Sequence, residues 1–254
     1  MPSKQPEFIN GEVYHIYNRG VDKRVVFSND SDHFRFIASL LEFNKKEPVK
    51  IRYCKNRFGL AEHPESEYTG ETRVEKLVEV LAFCLMPNHY HLILRQITDG
   101  GISLYMQKNG NGYTGYFNKK YGREGMGSLF QGKFKAVHVA ENDQLLNLVI
   151  YVLTNPISIF EPGWKEKGSS SASEAINFLN SYRWSSYLDY IGVNNFPSVI
   201  DKEFLLNVFE GADFLENKES DVDLKNIKKA VEGWILYKSK ADDGSNEITD
   251  LLLE

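Results

Sequence analysis

The sequence has few of the features that mark secreted and membrane proteins. Its 254 residues include only two cysteines, Cys54 and Cys84, too few for a disulfide framework or a cysteine-based zinc site. The first twenty residues have no apolar core of the kind that a signal peptide carries. The longest mostly apolar runs, Val78–Met86 and Leu148–Leu153, are too short to cross a bilayer. We therefore expect a soluble, cytoplasmic protein with no membrane partner.

The chain has an excess of acid, but the acid is unevenly distributed. The formal net charge is −5, and residues 201–254 alone contribute −7, from seven lysines and fourteen acids. Residues 1–200 therefore carry +2. Between residues 101 and 140, six basic residues stand against the single acid Glu124. Because a phosphate backbone responds to local charge, nucleic acid remains a candidate partner.

Hydrophobic periodicity predicts an α+β domain. Alternation predicts strands at Val13–Asn18, Val78–Leu85, Tyr90–Gln96 and Leu129–Val139. Helical spacing predicts helices from Ser31 to about Lys46, at Ser103–Lys120 and at Gln144–Asn155, the first capped by Ser31 or Asp32. The order β-α-β-β-α-β followed by a helix is that of a ferredoxin-like split βαβ antiparallel sheet with an appended helix. Pro156 is expected to end that helix, because the residue before a proline avoids helical backbone.

Composition predicts two domains. Residues 48–76 are polar without a clear period and are interpreted as an insertion or a long loop in a domain spanning 1–165. The serine-rich stretch Gly168–Ser173 marks a boundary. Residues 166–254 are predicted to be a mostly helical extension, acidic and partly flexible at its end.

The most specific chemical motif lies in the second strand of a predicted hairpin. His89 and His91 alternate with Tyr90, so both imidazoles project from one face, roughly 6.6–6.8 Å apart along the backbone. That spacing allows both to bind one divalent metal ion and leaves positions for phosphate oxygens. Taken alone, an H-x-H pair is more often structural.

Two further patterns have both functional and structural interpretations. Tyr151 and Asn155 lie four residues apart on a predicted helix, so they share a face. Tyr151 is a candidate nucleophile toward phosphorus, although a tyrosine in so apolar a run is usually core. Residues 113–135 interleave aromatic and basic side chains, which is typical of single-strand recognition but also of a solvated helix beside core aromatics.

Together these motifs resemble the single-tyrosine HUH transposases of insertion sequences, in particular the REP-associated tyrosine transposase branch. The resemblance runs from about Val13 to Gly192 in five islands. These are Tyr14–Gly20, Cys84–His91, Leu129–Lys135, Tyr151–Pro156 and Trp184–Tyr187. It implies the ferredoxin-like HUH endonuclease fold, with the nucleophilic tyrosine on a following helix.

The resemblance also implies roles for individual residues. His89 and His91 match the metal-binding pair, Tyr151 the nucleophile, and Asn155 the position of a third, side-chain oxygen ligand. Mg²⁺ or Mn²⁺ is the expected cofactor. The predicted DNA-binding residues are His15, Arg19, Lys119, Lys120, Arg123, Gln131, Lys133 and Lys135.

The implied activity is metal-dependent cleavage and strand transfer of single-stranded DNA at hairpin-flanked sites through a 5′-phosphotyrosine. The protein would act as a monomer or homodimer, associated with the nucleoid. Two alternatives remain: a binding module for structured DNA or RNA that no longer cuts, and a hydrolase that activates water at His89 and His91 while Tyr151 is structural.

Overall fold

A computed structural model describes residues 5–49, 75–210 and 224–240. The strands are β1 (Val13–Arg19), β2 (Val78–Met86), β3 (His89–Gln96) and β4 (Lys135–Val139). The longer helices are α1 (Asp30–Glu42), α2 (Gly101–Lys120), α3 (Asn142–Thr154), α6 (Ala172–Ser181), α8 (Lys202–Glu210) and α9 (Leu224–Lys240). Short helices are α4 (Ile157–Phe160), α5 (Trp164–Lys167) and α7 (Tyr187–Tyr190), and a 3₁₀ turn covers Val21–Lys23.

The four strands form one sheet in the order β2-β3-β1-β4, with β1 antiparallel to β3. The order of strands and helices matches the one expected for a ferredoxin-like sheet followed by a helix, and helices α6 to α9 form the helical extension. The predicted α+β fold is therefore confirmed. None of the helices in the described parts of the chain is both long and apolar enough to span a membrane.

Contacts divide the chain into two compact units. The first comprises residues 1–80, 85–138 and 198–200, and the second 81–84, 139–197 and 201–254. The predicted boundary after residue 165 falls inside the second unit, and most of the predicted insertion, residues 50–74, lies outside the described residues.

The core of the first unit lies on one face of the sheet. Tyr90 of β3 is 3% exposed, and its ring packs on Phe36 of α1 with centroids 5.0 Å apart. Phe36 also meets Tyr113 of α2 edge to face, 5.1 Å between centroids. Because this face is filled by α1 and α2, the other face of β1 and β3 is the one that carries polar groups.

The second unit is helical apart from a short segment of β2. Helix α9 packs against α3, α6, α7 and α8. The Trp184–Tyr187 motif holds residues 81–84: Ser186 accepts a hydrogen bond at Oγ from the Phe83 amide and donates its own amide to the Phe83 carbonyl, both at 3.0 Å. This motif is therefore an element of the core.

Three local predictions were wrong. Helix α1 is capped by Asn29, whose side chain accepts from the Asp32 amide. Strand β4 begins only at Lys135, because Gly132 has a left-handed φ of +79° that a strand does not accommodate. Helix α3 does end before Pro156, at Thr154, but Asn155 itself keeps helical dihedrals (φ −51°, ψ −38°), so the non-helical backbone expected there was wrong. Pro156 is the N-cap of the next helix, α4.

Candidate active site

The register of β1 and β3 places the sequence-predicted histidines on one face. Tyr17 pairs with His91 and Arg19 with His89 across the two strands. Since directly opposed residues project from the same side of a sheet, and alternate residues share a face, His15 joins this group. The face opposite the aromatic core thus carries three imidazoles and one phenol.

The three imidazoles are in contact. His15 Nε2 lies 2.9 Å from His91 Nδ1, and their rings stack with centroids 5.1 Å apart. The rings of His89 and His91 are also 5.1 Å apart, edge to face. His89 Nδ1 is 2.6 Å from the side-chain oxygen of Asn88. Both motif histidines therefore have Nδ1 engaged by a neighbouring side chain.

This arrangement fits a divalent metal. A metal-binding histidine typically bonds through one ring nitrogen while the other is held by a neighbouring polar group, which fixes the tautomer. With Nδ1 engaged in both rings, Nε2 is the nitrogen that would bind the ion in each. Among the described residues no cluster of three His, Cys, Asp or Glu side chains is arranged for a metal.

Tyr17 belongs to this site and was missed by the sequence analysis. Its ring stacks on His15 at 4.9 Å and on His91 at 5.9 Å between centroids. The ammonium of Lys135 lies 5.8 Å from the centroid of the same ring, within the range of a cation–π contact. The signal was available, because Tyr17 alternates with His15 along β1.

The predicted DNA-binding residues fall into two groups. The first lies along the β1–β4 side of the sheet: Arg19, Gln131, Lys133 and Lys135 are exposed, and the Gln131 amide donates to the Arg19 carbonyl at 2.8 Å. His15, by contrast, contacts His91 directly, so its position is that of a residue supporting the histidine pair.

The second group lies at the end of α2. Lys119 is exposed, and Arg123 is half-buried, with an Nη1 that makes no hydrogen bond to the described residues. Lys120 instead forms an ion pair with the buried Asp32 at 2.6 Å. Burial would raise the pKa of Asp32, but hydrogen bonds from Lys120, Tyr121, the Ser28 amide and Tyr116 outweigh it and lower that pKa. Lys120 therefore ties α2 to α1.

Two of the aromatic residues of α2 do not support the stacking hypothesis. Tyr113 is fully buried and Phe117 is 5% exposed. The Tyr113 hydroxyl donates to the Val26 carbonyl. Both rings are therefore core residues that no unpaired base can reach.

The remaining predicted site residues lie in the second unit. Helix α3 carries Tyr151, half-buried, as its fourth-last residue, and Asn155 at its C-cap is 2% exposed. The Asn155 Nδ2 has no hydrogen-bond partner among the described residues. Because buried amides are normally satisfied, this group has an unfilled requirement for a partner.

One contact of Tyr151 was not foreseen. The Lys165 ammonium of α5 lies 3.9 Å from the centroid of the Tyr151 ring. Burial lowers the pKa of Lys165 to about 8, against smaller opposing effects of Cys84 and Glu166. No sequence signal indicated this pair, because α5 is one turn long and has no period.

Comparison with known proteins gives a family match over the part of the chain that holds the H-x-H motif and the helix of Tyr151. Residues 50–155 match the family model described as IS200-like transposase. This part of the chain is therefore similar to the IS200-like transposases. The matched residues include the H-x-H motif, α3 and Asn155, so the family-level expectation from the sequence is confirmed.

One solved structure and the curated proteins complete the comparison. The chain is similar to a REP-associated tyrosine transposase bound to a REP hairpin, with 12% identity, a TM-score of 0.48, and coverage of 87% of this chain and 99% of that one. No curated protein matches significantly. The family match over residues 50–155 supports a transposase-like role in DNA processing.

Proposed function

We propose that this protein cleaves single-stranded DNA beside a hairpin and rejoins strands through a covalent tyrosine intermediate. The observation that carries the proposal is the paired His89 and His91 on one sheet face, each with Nδ1 engaged, in a chain whose family model also covers Tyr151.

His89 and His91 would hold Mg²⁺ or Mn²⁺ through Nε2, and we assign Asn155 as a further ligand through its amide oxygen. An amide whose nitrogen has no partner can present its oxygen instead when the group rotates by half a turn. When bound, such an ion neutralises and polarises a nonbridging phosphate oxygen. Asn88 and His15 would keep the two rings oriented.

Tyr151 would attack the phosphorus. Its oxygen forms a bond to phosphorus while the bond from phosphorus to the 3′ oxygen breaks. The phenol proton is released, and the departing 3′ oxygen takes up a proton to become a hydroxyl. The 5′-phosphotyrosine retains the energy of the broken ester, so attack by another 3′-hydroxyl joins two strands without ATP.

Arg19, Gln131, Lys133 and Lys135 would contact the DNA. Their side chains are exposed and line the β1–β4 side of the sheet, where Lys135 also contacts the histidine cluster through Tyr17. Lysine and arginine neutralise phosphates without reading sequence, so this group would set affinity rather than specificity.

The test is covalent capture. Hairpin oligonucleotides from the DNA flanking the gene, labelled at the 3′ end, are incubated with Mn²⁺ and the wild type, Tyr151→Phe or Tyr237→Phe. Tyr237 is 49% exposed on α9 of the same unit, which makes it a matched control. We expect a metal-dependent labelled protein band in the wild type and Tyr237→Phe, and none in Tyr151→Phe.

Other outcomes identify the rival functions. Binding in native gels without a covalent band favours the non-cutting module. Cleavage that Tyr151→Phe retains, with no labelled protein, favours a hydrolase that activates water at the histidine pair. The absence of both binding and cleavage across these oligonucleotides contradicts the proposed substrate.

A further inference from the structure

The proposed function uses Tyr151 but not the Lys165 ammonium that lies against its ring. The ammonium lies over the ring face, 3.9 Å from its centroid, close for a cation–π contact. In the described part of the chain, Lys165 forms no ion pair with a carboxylate, so its charge faces an aromatic ring instead of an acid.

The position of Lys165 is fixed by its neighbours. The Lys238 ammonium donates to the Lys165 carbonyl at 2.8 Å. Adjacent Trp164 is 2% exposed, and its indole nitrogen donates to Ser158 Oγ at 3.2 Å. After α5, Gly168 packs directly on the Lys238 carbonyl, where an added Cβ would lie 2.0 Å from the oxygen. The backbone that carries Lys165 is therefore fixed by contacts before and after it.

Two of the titratable groups that act on Lys165 or lie near it are uncharged at neutral pH. Burial raises the pKa of the Cys84 thiol and of the Tyr182 hydroxyl well above the neutral range, so both are uncharged there. Glu166, on the same short helix, has only a small effect on the pKa of Lys165. A phenolate at Tyr151 would place a negative charge on the ring that the Lys165 ammonium already contacts.

We propose that Lys165 is a positioning residue that stabilises the phenolate form of Tyr151 and so prepares this oxygen for attack. A cation attracts a phenolate more strongly than a phenol, because the full negative charge adds to the attraction by the ring. The same contact favours phenolate departure when the phosphotyrosine is resolved. This role rests on Tyr151 being the nucleophile of the proposed function.

The first test measures Tyr151 directly, without DNA. Full-length protein labelled with ¹³C at the tyrosine ring carbon that bears oxygen is titrated by NMR, with Tyr151→Phe used to assign the signal. Because burial lowers the pKa of Lys165 to about 8, the two groups titrate as a coupled pair. We expect the titration midpoint of Tyr151 to rise by about 1 pH unit in Lys165→Met, since an opposite charge at this range shifts a pKa by roughly 1–3. Lys165→Arg keeps the cation throughout the titration and should give a midpoint no higher than that of the wild type.

A matched control separates charge from packing. Methionine keeps the apolar contact with the ring, and Lys167→Met removes an exposed lysine from the same helix, where we expect no change. An unchanged Tyr151 midpoint in Lys165→Met overturns the proposal.

The second test measures the rate of covalent capture at saturating oligonucleotide. We expect a fall of about tenfold in Lys165→Met, recovery in Lys165→Arg, and an unchanged apparent affinity for the oligonucleotide. A wild-type rate in Lys165→Met overturns the catalytic part of the inference. If the wild type forms no adduct while the titration midpoint still depends on Lys165, the proposed function fails and the Lys165–Tyr151 interaction stands.

Discussion

At the scale of single residues, His15 fixes the orientation of the His91 ring. Its Nε2 is 2.9 Å from His91 Nδ1, and Tyr17 stacks on both rings. A ring held by a hydrogen bond and by stacking loses little further freedom when Nε2 binds an ion. In the proposed metal site, His15 would therefore orient a ligand without being one of the expected ligands.

Replacing His15 with alanine should weaken Mn²⁺ binding by about 10–100-fold, the usual effect of removing a group that orients a ligand. Isothermal titration calorimetry measures this in the absence of DNA. His138→Ala is the control, because His138 pairs with Glu12 at 2.9 Å on the opposite face of the sheet and should leave Mn²⁺ affinity unchanged. Equal affinities of His15→Ala and the wild type would contradict the role given to His15.

Some residues of the candidate site could be predicted from the sequence and others could not. His89 and His91 share a strand, and Tyr151 and Asn155 share a helix, so local spacing suffices to bring each pair onto one face. Lys165 lies fourteen residues beyond Tyr151 and reaches it only because α5 packs back on α3. Lys120 was predicted to contact DNA. The sequence does not show its ion pair with the buried Asp32, because the two residues are 88 positions apart. Contacts at such separation have no periodic signature.

At the scale of elements, helix α2 is continuous although three glycines interrupt its sequence. Gly112 has a structural reason: a Cβ there would lie 2.6 Å from the Phe43 ring at the end of α1. Gly110 and Gly115 have open space at the same position. Their cost in helix propensity is offset by the packing of Tyr105, Tyr113 and Phe117, which are buried.

Two alanine substitutions in α2 should have opposite effects. Gly115→Ala should raise the free energy of unfolding by about 0.5–1 kcal/mol, because alanine loses less backbone freedom in a helix. Gly112→Ala should lower it by roughly 1–2 kcal/mol, since displacing the Phe43 ring costs more than the propensity gain. Urea denaturation measures both, and a stabilised Gly112→Ala would show that the two helices can separate without penalty.

The order of strands and helices was predictable because the hydrophobic periods are strong in the first unit. The residues at which the helices end were less predictable. The backbone before Pro156 stays helical, since α4 starts at the next residue, and a rule for residues before proline does not detect two consecutive helices. Helix α1 was also predicted to extend too far, since it ends at Glu42. The next two residues make tertiary contacts that the helical period does not show. The Phe43 ring lies beside Gly112 of α2, and Asn44 Nδ2 donates to the Val78 carbonyl of β2 at 2.8 Å.

At the scale of the whole molecule, net charge is a poor guide to partners. The chain carries −5, yet Arg19, Lys133 and Lys135 are exposed along the β1–β4 side of the sheet. At 0.1 M salt, screening over about 10 Å means that a phosphate backbone responds to the charges near it and not to the net charge of the chain.

We expect single-stranded DNA binding to weaken steeply as salt rises. Changing Lys133 and Lys135 together to glutamine should reduce the slope of log affinity against log salt by about 1.4, or about 0.7 for each phosphate that the protein no longer neutralises. Fluorescence anisotropy at several salt concentrations measures the slope. Lys228→Gln is the control, because it removes an exposed lysine from α9, and it should leave the slope unchanged. If the wild type, the double variant and Lys228→Gln all give the same slope, the DNA does not bind along Lys133 and Lys135.

The Ser186–Phe83 hydrogen bonds have a consequence for synthesis. They join residues 103 positions apart, and the Tyr190 hydroxyl reaches the Leu81 carbonyl across 109. At roughly 5–20 residues per second, the ribosome makes the middle of β2 about 5–20 s before the residues that satisfy its backbone. The nascent chain therefore exposes an apolar strand during that interval, and a chaperone that binds such segments is expected to engage it until the Trp184–Tyr187 motif leaves the exit tunnel.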